Sequence, residues 1–523
     1  MTSEKLILRH DYWKNINIQQ SDIDFLYNYL LETETPQTSF ELIGVLISKR
    51  IQQEVELAKR RQLGDKNTYL PKNHYQVNQV LAFPALGWQQ GEILLDRQGY
   101  NPELPPFNVI KIKFDNGELR EFATDLDEHV LNNPPEITLD DESLNSEYIL
   151  STHQEILTQK LQNELINNPD FVLVADRWFP KALLIDINIG HLNIAEATLD
   201  MGNGGPLPTP SIMEHLDINK GNNSKLAQFS LDYALQEDKR FDEVGPAGEM
   251  LWFLKHLEPK DVLETPLFLR YQPDEYDRSV LTNDMLALEQ RLADELTPTF
   301  EETQDTEKVE LRLLFPHWRT GTIPLSYFAK KIFPTAYEAP HIRFWLVDGN
   351  TKDKFPAWVV RKEGYVYGLS EWYNTRGLIP GSIIRLRKST NLGEVIIQTS
   401  NQRSSRDYVR SILIGSDGGI VFATLRQIIK AEYDERMAMF LSDIEGLDEI
   451  WQNAQKSRNS LESIMMNMIR NLTKLTPQGH VHASELYAAV NLVRRCPPGP
   501  ILALLTTRPQ FVHVGDMYYH LKD

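Results

Sequence analysis

The spacing of apolar residues divides the chain into alternating helical and extended blocks. Ser21 stands before Asp22 and Asp24 as a helix start, and Phe25, Leu26, Tyr29, Leu30 and Leu31 make the apolar stripe of that helix, which Pro36 stops. Thr38 or Ser39 caps a second helix through Leu42, Ile43, Val45, Leu46 and Ile51 into the basic run Lys59-Arg60-Arg61. Two helices joined this closely fit a helix-turn-helix, and equally any helical hairpin, over residues 1–74. From Tyr75 the period shortens to that of strands. Val77, Val80 and Ala82-Phe83 are followed by Ile93 to Leu95, Val109 to Phe114, a tight turn at Asp115-Asn116-Gly117, and Arg120 to Phe122. Strands this short and close predict a small barrel over 75–130.

An internal repeat is the strongest organisational signal. Phe171 to Phe179 parallels Phe511 to Tyr519, and Phe241 to Gly245 with Leu251-Trp252-Phe253 forms a looser copy. Each follows an apolar-periodic helix and a short polar joint, at Ile156 to Asp170, Leu226 to Arg240 and Ile501 to Gln510. A helix feeding a two-stranded hairpin is the end of a winged helix. Upstream helices accompany two of the copies: Leu192 to Leu199 and Ser211 to Leu216 in the middle, and Leu461 to Leu472 and the helix from His482 at the end. The first copy shows no such pair directly before it. The repeats occupy 148–258 and 460–523. Between them, 259–310 reads as a helix (Asn283 to Glu295) and an acidic, Thr-rich linker, 311–423 as a β domain, and 424–459 as a helical arm with Leu425, Ile428, Ile429, Met437, Met439 and Phe440 on apolar faces.

Three local resemblances refine these modules. Phe83-Pro84-Ala85-Leu86-Gly87-Trp88, Gly91 and Val109 to Gly117 resemble the Tudor-like or SH3-like barrels of CarD-type transcription regulators, which implies a partner among RNA polymerase, DNA and other proteins. The middle and C-terminal repeats resemble the winged-helix domains of the RNA polymerase delta subunit (HARE-HTH) type. Ile342 to Val347, Phe355 to Val360, the helix at Ser370 to Thr375, Gly377-Leu378-Ile379-Pro380-Gly381 and Ile383 to Arg387 resemble the pseudobarrel DNA-binding domains of plant transcription factors and restriction-enzyme effector domains. The expected fold class is α+β and multidomain, with winged-helix repeats, two small β-barrel modules and a helical C-terminal region.

Length and composition change this picture little. A chain of 523 residues exceeds one ordinary core, and 41% hydrophobic residues suffice to fill several. The N-terminus lacks an apolar leader and no stretch is apolar enough to span a bilayer, so a cytoplasmic protein without membrane attachment is expected. Cys496, the one cysteine, rules out an internal disulfide and reads as a small buried hydrophobe.

Charge is more informative. The net charge of −19 argues against a surface basic throughout, but it is unevenly spread. Between Arg361 and Arg410 nine basic residues face four acidic ones, whereas Asn116 to Glu147 holds ten carboxylates and one Arg. The candidate nucleic-acid-binding residues are therefore Arg385, Arg387 and Lys388, with Arg403, Arg406 and Arg410, and the run Lys59, Arg60, Arg61. The C-terminal recognition helix near Gly499 to Thr507 carries no Lys or Arg, a poor groove reader.

Candidate chemistry is sparse. His480, His482 and Glu485 lack further ligands at a diagnostic spacing and suit a turn and helix cap, and Asp140-Asp141-Glu142 suits solvated surface. The Gly202 to Gly205 loop lacks the Lys-Ser/Thr of a phosphate loop, and no nucleophile, base and acid assemble into a catalytic set. No cofactor, metal or catalytic residue is assigned. The expected function is a non-enzymatic DNA-binding or RNA-polymerase-associated factor. Its rivals are a protein-interaction scaffold and, third, a divergent metal-dependent nuclease.

Overall fold

Three stretches of the chain fold into the same order of helix, short strand, two helices and a hairpin. The computed structural model describes residues 12–63, 68–86, 89–114, 117–132, 145–218, 223–298, 307–416, 418–457 and 459–522. It divides into two compact units, Met1–Leu184 and Ile185–Asp523.

In the first unit, α1 (Gln20–Thr33), β1 (Gln37–Thr38) and α2 (Ser39–Leu63) are followed by four antiparallel strands, β2 (Val80–Phe83), β3 (Gln89–Gln98), β4 (Asn108–Phe114) and β5 (Leu119–Thr124). The chain then returns through α3 (Ser146–Ile166) to the hairpin β6 (Phe171–Val174) and β7 (Arg177–Pro180). β1 pairs with β7, Gln37 opposite Trp178, so the sheet order is β1-β7-β6. The helix pair missing before the first hairpin is thus α1 and α2, displaced to the far side of the four-stranded meander. The meander is an insertion whose two ends are tied together: Leu126 N–H donates to the Pro71 carbonyl at 2.9 Å, and Lys72 N–H to Asn132 Oδ1 at 2.9 Å. Tyr69, Tyr75, Phe83, Ile93, Ile110, Ile112 and Phe114 fill its core. Alternation explains this, since Ile110, Ile112 and Phe114 share one face of β4.

The second unit opens with α4 (Ile189–Met201), β8 (Leu207–Pro208), α5 (Thr209–Met213), α6 (Ser224–Glu237), β9 (Phe241–Glu243) and β10 (Leu251–Leu254), with sheet order β8-β10-β9. After α7 (Lys260–Leu263) and α8 (Asn283–Leu292) come β11 (Lys308–Arg312), α9 (Phe315–Thr320), β12 (Thr322–Pro324), α10 (Tyr327–Lys330), β13 (His341–Asp348), β14 (Lys354–Val360), β15 (Tyr365–Tyr367), α11 (Ser370–Arg376), β16 (Ile383–Lys388) and β17 (Glu394–Gln398). The strands form one open sheet, β11-β16-β17-β13-β14-β15-β12, parallel only between β13 and β17. A long ribbon follows, β18 (Asn401–Ile414) and β19 (Ile420–Ala431), with β20 (Phe440–Leu441) beside β18. Then α12 (Ile444–Ser457) leads to the last copy: α13 (Leu461–Leu472), β21 (Val481–His482), α14 (Ala483–Val490), α15 (Pro498–Thr507), β22 (Phe511–Gly515) and β23 (Tyr518–Leu521), in the order β21-β23-β22.

The three copies share a register as well as an order. Trp178, Trp252 and Tyr519 sit opposite Gln37, Leu207 and Val481. Two residues after each of those strand positions stand Ser39, Thr209 and Ala483. In the first two copies the buried indole N–H donates to that hydroxyl, Trp178 to Ser39 Oγ at 2.9 Å and Trp252 to Thr209 Oγ1 at 3.1 Å, which satisfies the polar end of an otherwise apolar anchor. In the third, Tyr replaces Trp and Ala replaces the hydroxyl. A bulge between His513 and Gly515 shifts the match by one, so Trp178 corresponds to Tyr519 and not to Tyr518 as the linear comparison has it.

Three expectations change. Thr424 to Ala431 is strand, not helical arm; Leu425, Ile428 and Ile429 have helical spacing, but long pairing with β18 prevails over it. Residues 311–423 are not one barrel, because strands up to Gln398 belong to the open sheet and the next two to the ribbon. The segment 259–310 is more than a linker: Met285, Leu288 and Leu292 of α8 enter the core of the C-terminal copy with Leu486, Tyr487, Ile501 and Leu505. Residues 299–306, Asp140-Asp141-Glu142, Gly87-Trp88 and Asp115-Asn116 lie outside the described residues.

Candidate nucleic-acid interface

The ribbon β18–β19 is packed along one face and, toward its open end, exposed on the other. Toward its turn, Ile412, Ile420 and Phe422 are buried in the core of the C-terminal copy, and on the opposite face Val409 and, near the open end, Ile429 pack with Ala438, Ile379 and Tyr433. Toward its open end, Arg406 stands opposite Ile428 and Tyr408 opposite Arg426. Cross-strand partners share a face, and Lys430 lies two residues beyond Ile428, so Arg406, Tyr408, Arg426, Ile428 and Lys430 form one surface. All five are exposed, Tyr408 at 72% and Ile428 at 55%. Among the described residues, Arg406, Arg426 and Lys430 have no ion-pair partner. The adjoining stretch is basic in sequence too, since between Ile383 and Ala431 eight Lys and Arg face three carboxylates.

The other sequence candidates divide. Arg387 and Lys388 end β16 exposed and without an ion-pair partner among the described residues. Arg385 is engaged: it grips Glu432 through both terminal nitrogens at 2.7 and 2.9 Å, with Glu310 at 3.2 Å, and holds the Glu432 carboxyl down to about 2. Arg410 is also taken, since the inward half of the ribbon carries it under the C-terminal copy. There it lies 3.3 Å from Glu485 and donates to the Arg436 carbonyl at 2.9 Å, while burial lowers its pKa. A phosphate contact by either would require displacing an acidic partner. The Arg403, Lys59, Arg60 and Arg61 side chains lie outside the described residues, the last three on the final turns of α2.

Sequence reasoning missed Arg426 and Lys430 because a helical reading of 424–459 put them on a helix, and Tyr408 because its cross-strand partner Arg426 was thereby lost. The β-branched run Ile420-Val421, Thr424, Ile428-Ile429 was the signal for strand.

Helices of the repeated copies offer less to an anion. Pro498 to Ala503 of α15 are all buried, so that helix faces core. His482 caps α14 by accepting the Ser484 N–H, and burial together with Arg436 pushes its pKa down to about 4. A different group, Asp242, Glu258 and His341, brings three ligand atoms within 4.8 Å of one another. No described helix is long and apolar enough to cross a membrane. Comparison with known proteins adds no analogue: no family model, curated protein or solved structure matches the chain.

Proposed function

We propose that the chain is a non-enzymatic DNA-binding factor that contacts phosphates through the open half of the β18–β19 ribbon. The observation that carries this reading is the surface of Arg406, Arg426 and Lys430 around Tyr408, free of acidic partners among the described residues, on a chain of net charge −19. A two-stranded ribbon fits the major groove, long cations pair with phosphates, and an exposed Tyr adds a stacking face. Arg387 and Lys388 would extend the contact along β16. The three copies are, on this reading, winged helices of the HARE-HTH type, supported by their common strand order and register, and the inserted meander is a Tudor- or SH3-like barrel. Their part would be architectural, since α15 is buried and α3 presents Glu147, Glu155 and Glu164 among its charges.

The test is fluorescence anisotropy of labelled duplex and single-stranded DNA with the full chain over a range of salt. Arg406→Glu, Arg426→Glu and Lys430→Glu together should abolish tight binding. The corresponding alanine variant should lower the slope of log affinity against log salt by about 2.7, from about 0.9 for each lost phosphate contact. A charge-matched reversal of exposed Arg97, Lys113 and Arg120 should leave binding within about threefold. No binding at low salt, or equal loss in both reversals, refutes the proposal. Retention of a protein partner through Tyr408 and Ile428 without DNA binding would favour the scaffold.

A further inference from the structure

We propose that Asp242, Glu258 and His341 form a binding site for a divalent transition-metal ion, best suited to Zn2+, which joins the hairpin of the middle copy to the large open sheet. Asp242 lies on β9, Glu258 four residues past the end of β10, and His341 begins β13, so the two ends of one hairpin converge with a strand distant in sequence.

Three converging, largely buried ligand atoms identify the site. The Glu258 side chain is fully buried, at 0% exposure, yet among the described residues neither of its carboxylate oxygens has a hydrogen-bond partner, and Oε2 has only the His341 ring nitrogen beside it. Asp242 Oδ2 and His341 Nδ1 are likewise buried and without a hydrogen bond. None of these four atoms makes a hydrogen bond, and what compensates their burial is the ion pairing of one imidazole with two carboxylates, a contact that a bound cation could replace. Nδ1 of His341 lies 3.3 Å from Glu258 Oε2 and 3.5 Å from Asp242 Oδ2. Tetrahedral zinc bonds of about 2.0–2.1 Å to nitrogen and oxygen place neighbouring ligands about 3.3–3.4 Å apart, so both separations match the edges of such a shell. One nitrogen and two carboxylates suit zinc better than calcium, which takes six to eight oxygens. Three protein ligands leave a fourth position for water, and Asp242 and His341, each 14% exposed, give a way in from solvent.

The setting gives the ion a structural role. Arg343 N–H donates to the Val244 carbonyl at 2.8 Å, and Val244, Phe253, Trp358, Val360 and Tyr365 share a cluster, so hairpin and sheet already pack together beside the three ligands. Bound metal would complete that junction and couple it to folding.

The full-length chain, stripped with chelator and dialysed, is titrated with Zn2+ against a competing chromophoric chelator. Metal content is read by mass spectrometry, and thermal unfolding is followed with and without metal. The wild type is expected to retain one equivalent and to unfold at a higher temperature with it. Glu258→Gln and His341→Gln, which preserve shape, should each weaken affinity at least tenfold and remove the thermal shift. Co2+ should give the visible bands of a tetrahedral N/O site in the wild type alone. No retained zinc in the wild type, or equal retention and equal thermal shift in both variants, overturns the site. Neither result bears on the ribbon, so its DNA binding stands or falls separately.

Discussion

Replacing Arg495 with Met should loosen the C-terminal copy more than any surface change. The guanidinium is wholly buried and lies 2.7 Å from Asp294 and 2.8 Å from Glu295, carboxylates on the segment following α8. It also donates to Asn491 Oδ1 at 3.1 Å and to the Cys496 carbonyl at 3.2 Å. Tyr487 donates to Asp294, and His317 lies 3.1 Å from Glu295. Burial opposes ionisation of Glu295, but Arg495 and His317 hold its pKa well below the usual carboxylate range. Removing the cation leaves two carboxylates in a dry site, which costs about 3–5 kcal/mol. Hydrogen exchange by mass spectrometry, read on peptides covering α14 and α15, would then accelerate between about a hundredfold and a few thousandfold. Adding Asp294→Asn and Glu295→Gln to the Met variant should recover most of the loss. The contribution of Glu295, whose pKa folding lowers, is present above its unfolded value of about 4.3 and is lost as pH falls through the lower folded value, so the single variant's deficit should shrink in acid. Acceleration below tenfold, or no recovery in the triple variant, would refute the argument that charge compensation holds this junction.

Other positions can be tested on the same physical grounds. Asp22→Asn should destabilise the first unit by about 2 kcal/mol in urea unfolding, because Asp22 is buried against Arg50 and also accepts the Gln19 N–H that closes the α1 capping box. Burial raises the pKa of Asp22, but Arg50 outweighs it and the net shift is downward, so the difference from wild type should be full above pH 3.8 and vanish in stronger acid. Gly381→Ala should cost at least about 2 kcal/mol: φ is +91°, and the new Cβ would lie 2.4 Å from the Ala438 Cα, where backbone cannot give way. A melting temperature within a degree of wild type would contradict that reading.

The parts of this fold legible in the sequence are those with local period. Alternation in Val109 to Phe114 and the apolar stripe of Leu461 to Leu472 each have one physical solution, and the structure makes them β4 and α13. What escaped was relational. Gln37-Thr38 is too short to announce a strand, and its partner lies at Arg177-Trp178 beyond an inserted domain. The ribbon escaped because Leu425, Ile428 and Ile429 satisfy the helical spacing by coincidence. Arg385 and Arg410 looked like free cations because their acidic partners, Glu432 and Glu485, are distant in sequence. The burial of Glu258, and with it the ligand cluster, has no local signature.

The interruption of the first copy bears on the order in which a ribosome could release folded parts. The middle and last copies are each made from contiguous chain, so their strands meet soon after synthesis. The first cannot close until β7 has emerged to take its place between β1 and β6. The meander, whose own pairings are all short-range and whose ends are tied by hydrogen bonds near Pro71 and Leu126, can form while α1 and α2 still wait for α3. A nascent chain halted after Asn132 would therefore carry a finished guest beside an unfinished host, whose α1 and α2 still lack α3 and β7.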